Sequence, residues 1–134
     1  MPIDIKGMSL GQLLNRLHEA IVDFIETLDN TIESNRKVNT NEIRELRGHI
    51  LERLQKNEDV SDNKKLIEVL DLFSTESVIM ELIREDSEEW LDFIETIEER
   101  MRERGESSEL AHEELADIER IKELTAQIKA IMRK

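Results

Sequence analysis

From Ser74 to Lys134 the chain reads STESVIMELIREDSEEWLDFIETIEERMRERGESSELAHEELADIERIKELTAQIKAIMRK, and the spacing of its apolar residues decides the fold. Ile79, Ile83, Asp86, Trp90, Phe93, Ile97 and Met101 follow at steps of three and four, which lines them up on one face of a helix packed lengthwise on a neighbour. Ser74 and Thr75 stand before the run as capping residues, and Glu76 and Glu81 put acid near the positive end of the helix dipole. Arg100, Arg102 and Arg104 crowd the far end, where cations offset the negative pole, and Gly105 permits a left-handed stop. The pattern therefore predicts a helix from Thr75 to Arg104, about 45 Å long by the α-helical rise. Glu106, Ser107 and Ser108 supply a second cap. Beyond them Leu110, Ala111, Leu115, Ile118, Ile121, Leu124, Ile128, Ile131 and Met132 form another apolar face. So short a connection turns the second helix back alongside the first as an antiparallel partner.

Upstream, Ser9 caps a helix whose Leu10, Leu14, Leu17, Ile21, Phe24 and Leu28 keep the same spacing, widened by Leu13, Ala20, Ile25 and Ile32. Pro2 to Gly7 reads as a short extended arm with Ile3 and Ile5 able to tuck against the body. Ser34 to Asn41 is polar and reads as a break, with Thr40 the entry to a second helix carrying Ile43, Leu46, Ile50, Leu51 and Leu54. Asn57 to Asn63 is a second break. Leu66, Ile67, Val69, Leu70, Leu72 and Phe73 then make a short third helix, apolar on several sides, suited to a buried crosspiece or to an exposed partner patch. The expected fold class is all-α: a helical bundle of about five helices with a long C-terminal antiparallel helical hairpin. One domain over residues 1–134 is expected, with a three-helix part over 1–73, the hairpin over 74–134 and a seam at Ser74.

Composition agrees with a bundle. Aromatic residues make up 3% of the chain and there are four Gly and one Pro, so the core must be built mainly from Leu and Ile. A length of 134 residues suffices to bury about two thirds of the unfolded surface without disulfides or metals. There is no cysteine, which removes thiol chemistry and a disulfide frame. Thirty-two acidic residues against 19 basic ones give a formal net charge of −13, which disfavours direct contact with nucleic acid or anionic lipid and favours a basic partner surface. Met1 to Lys6 lacks the charged start and apolar run of a signal peptide, so a cytoplasmic location is expected.

Two constellations bear on chemistry. Glu95 and Glu98 on the first arm, with Glu114 and Asp117 on the second, form ExxE and ExxD pairs. This set resembles the metal-binding pattern of the all-α nucleotide pyrophosphohydrolases, and the resemblance implies a magnesium-dependent hydrolase of nucleoside triphosphates. A helical wheel places Glu114 and Asp117 on the apolar face of their helix, whereas Glu98 flanks its seam and Glu95 points away from it. Within an apolar seam Glu114 needs a counter-ion, and folding about Gly105 offers Arg100. Asp86 interrupts the other arm in the same way, as a residue that sets register. The second constellation is Asn57, Asp59, Ser61, Asn63, Lys65 and Glu68, which resembles an EF-hand loop in its ligand offsets. It departs from that family at its first ligand, Asn in place of Asp, at Asp62 where the family has Gly, and in the charge of Lys64 and Lys65. A polar turn between helices accounts for it better.

His18, His49 and His112 form no ligand pair and read as surface or boundary residues, and no nucleophile elbow, Walker loop or dinucleotide-binding loop occurs. No catalytic residue, metal or cofactor is therefore assigned. Two functions compete. One is a non-enzymatic interaction module whose helices recruit a second copy, or another protein, because Val78 and Met80 beside Ile79, and Ile131 beside Met132, widen the apolar faces beyond what two helices cover. The other is an acidic inhibitor that occupies the basic, nucleic-acid-binding surface of a partner protein. Glu85, Asp86, Glu88, Glu89, Glu113 and Glu114 are its candidate partner-binding residues.

Overall fold

The computed structural model describes residues 5–28, 33–56, 63–106 and 109–133. Among them every element is helical: a 3-10 turn at Ile5–Gly7, then α1 (Leu10–Leu28), α2 (Glu33–Gln55), α3 (Asn63–Phe73), α4 (Glu76–Ile83), α5 (Ser87–Gly105) and α6 (His112–Met132). The contacts divide the chain into two compact units, 1–61 and 62–134.

In the first unit α1 packs on α2. A reciprocal cap starts α1: the backbone N–H of Ser9 donates to Gln12 Oε1 at 2.8 Å, and the N–H of Gln12 donates to Ser9 Oγ at 3.2 Å. Two amides that a helix start leaves without partners are thereby satisfied. Leu13, Leu14, Leu17, Ile21 and Phe24 are buried, as are Ile43, Leu46, Ile50 and Leu54 on α2. Arg16 pairs with Glu42 across the two helices. The expected arm at residues 2–7 is corrected over its described part. Ile5–Gly7 is a 3-10 turn against α2, held by Arg53, which donates to the Lys6 carbonyl at 3.2 Å. The expected break at Ser34 to Asn41 is also corrected, because α2 runs through it from Glu33. Those residues are polar except Val38, yet Gly48 is the first Gly or Pro after Glu33, and polarity alone does not end a helix.

In the second unit α3 packs on α6 and α4, α4 on α6, and α5 on α6. α3 buries Leu66, Val69, Leu70 and Phe73 and half-buries Ile67 and Leu72, so its several apolar sides are covered. The single helix expected from Thr75 to Arg104 is two helices, α4 and α5, separated by a turn at Arg84–Asp86. Asp86 leaves the helical region with φ −123° and ψ 32° and takes the N-cap position of α5, its carbonyl accepting from the Trp90 amide at 3.0 Å. It therefore starts a helix instead of interrupting one. The turn lets α4 bury Val78, Ile79, Leu82 and Ile83. Trp90 secures it: the indole Nε1–H donates to the Leu82 carbonyl at 3.1 Å, satisfying one of the oxygens that the end of α4 leaves without helical partners. The ring stands edge-on to Phe73 at 5.1 Å and to Phe93 at 5.9 Å.

Gly105 is corrected as well. It is the last residue of α5, no left-handed conformation occurs there, and the chain continues in the right-handed region at Glu106 with φ −80° and ψ −13°. A Cβ at that position would lie 3.4 Å from Ile118 Cγ2 on α6, an ordinary contact, so the packing there does not require a glycine. α6 begins at His112, so Leu110 and Ala111 precede the helix they were expected to line, and Leu115 is partly exposed. Ser107 and Ser108, expected to cap it, lie outside the described residues.

Candidate functional site

Charge on α5 and α6 sorts into two kinds. Glu98, on the buried side of α5, accepts from Lys129 of α6 at 3.1 Å and from Arg102 one turn along at 2.9 Å. Glu95 takes Arg133, just past the end of α6, at 3.1 Å, with Lys129 3.9 Å away. At the other end of α5, Arg104 donates to Glu114 in the first turn of α6 at 3.2 Å. These three carboxylates are consumed in holding α6 to α5. Arg120 of α6 makes the corresponding bond to Asp71 of α3 at 3.0 Å.

The pyrophosphohydrolase-like set is thus not gathered into one place. Glu95 and Glu98 meet the C-terminal turns of α6, whereas Glu114 meets the last turn of α5, and each is matched to a cation. Glu95 reaches α6 despite its expected outward direction, because the long Arg133 side chain comes to it. The counter-ion of Glu114 is Arg104 in place of the expected Arg100, which lies 3.7 Å from Glu103. Asp117 is half-buried. Among the described residues no three His, Asp or Glu side chains are placed to hold a metal ion. Of the EF-hand-like stretch, residues 57–62 lie outside the described part. Its last three offsets, Asn63, Lys65 and Glu68, sit within α3, where Asn63 is buried and Lys65 Nζ donates to Glu68 at 2.7 Å. His18 and His49 are half-buried and His112 is exposed.

The second kind of charge faces solvent. From Glu76 to Glu99 the sequence holds a single cation, Arg84. Glu76, Glu81, Glu85, Glu88, Glu89 and Asp92 are exposed, and Asp86 is half-buried among them at the turn. Local physics explains part of the cluster, since Glu88 and Glu89 occupy the first turn of α5, where carboxylates offset the dipole. Met80 projects from the same outer side of α4, 61% exposed, the opposite side from buried Val78, Ile79, Leu82 and Ile83. The six expected partner-binding residues therefore fall into two places. Glu85, Asp86, Glu88 and Glu89 surround the start of α5, and Glu113 and Glu114 lie by its last turn, about 28 Å away by helix rise. The apolar widening attributed to Val78 is absorbed inside the chain, as Val78 and Ile79 are buried and Ile131 and Met132 half-buried.

The sequence signal for the α4–α5 turn was Asp86 followed three residues later by Glu89, the signature of a helix start, set within an apolar run that masked it. Compared with protein-family models, curated protein sequences and solved structures, the chain matches none of them. Among the described residues no helix is long and apolar enough to cross a membrane.

Proposed function

We propose that this chain is a non-enzymatic protein–protein interaction module: a helical bundle in which α5 and α6 form an antiparallel hairpin and the outer side of α4 with the start of α5 meets a basic partner surface. The observation that carries this reading is the exposed acidic cluster at the α4–α5 turn, in a stretch from Glu76 to Glu99 that holds one cation. Glu95, Glu98 and Glu114 bond to cations across α5 and α6, Glu85, Glu88 and Glu89 are exposed around the α4–α5 turn, and Met80 is exposed on α4. Exposed charge of one sign speeds encounter with the opposite sign and makes association sensitive to salt, and an exposed apolar side chain on α4 offers an anchor. This is the contact an acidic inhibitor of a basic, nucleic-acid-binding surface would use.

Self-association through helix recruitment is the second reading, favoured by Val38 on α2, 65% exposed, together with Met80. Mass measured by light scattering at low and high salt separates the two. A monomer at both, binding a basic helical peptide only at low salt, supports the acidic contact. A dimer that survives high salt supports helix recruitment instead.

A further inference from the structure

We draw no further inference here: the strongest candidate, the carboxylate-rich outer surface of α4 and the start of α5 around Met80, belongs to the site already described, and nothing in the structure shows what covers it.

Discussion

Ser9, Trp90 and Gly105 show how single residues set this fold. Ser9 and Gln12 exchange hydrogen bonds at the start of α1, so Ser9→Ala should lower stability by about 1 kcal/mol, read as a shift of the denaturant midpoint at unchanged slope. Trp90→Phe keeps an aromatic ring near Phe73 and Phe93 but removes the donor to the Leu82 carbonyl. Leaving that oxygen unpaired should cost about 1–3 kcal/mol, and hydrogen exchange should locate the loss at the α4–α5 turn. Gly105 gives the opposite sign. Its backbone is right-handed, and an added methyl would stand 3.4 Å from Ile118 Cγ2, an ordinary contact. Gly105→Ala should therefore be neutral or stabilising by up to about 1 kcal/mol, where a left-handed stop would have made it costly. Glu52 shows charge at this scale: the hydrogen bond and positive charge of Lys56 hold its carboxyl below the ordinary glutamate value. Because the folded value is depressed, this contribution is present above the unfolded-state value and is lost as pH falls through the folded one. An NMR titration should show Glu52 moving up toward the ordinary value in Lys56→Gln.

At the scale of elements, what could be read from sequence was what periodicity alone decides. α1 appeared with its cap and its buried face, and the apolar seam of α5 appeared with Trp90, Phe93, Ile97 and Met101 inside, as they are. Periodicity could not show the turn at Arg84–Asp86, because Ile79 and Ile83 stay in phase with Trp90 across it. Only the capping signature at Asp86 and Glu89 distinguishes two helices from one. The start of α2 was missed for the converse reason: polar residues suggested a loop where no Gly or Pro enforces one. The exposed carboxylates of the candidate surface were legible as residues, but which acids of α5 bond to cations of α6 was not. That depends on Lys129 and Arg133 reaching α5 from more than thirty positions along the chain. The Glu98–Lys129 pair, with side chains 21% and 18% exposed, should show a coupling of about 1 kcal/mol in a double-mutant cycle, at the upper end for partly solvated pairs. Gly48, mid-helix on α2 with open space around it, should accept alanine with a gain of about 1 kcal/mol.

For the whole molecule, a net charge of −13 makes every encounter with a basic surface favourable at long range, so binding alone would not identify a site. Position has to be separated from total charge. Neutralising Glu85, Glu88 and Glu89 together removes three charges from the proposed contact, and neutralising Asp23, Glu26 and Glu45 removes three exposed charges from α1 and α2. The decisive measurement is the affinity of these two triple variants and the unaltered chain for one basic helical peptide, at low and at high salt. The account predicts that the Glu85, Glu88 and Glu89 variant loses about tenfold or more at low salt while the other stays close to the unaltered chain, the two converging as salt screens the contact. Equal losses in both variants, or a peptide that fails to bind at low salt, would contradict it.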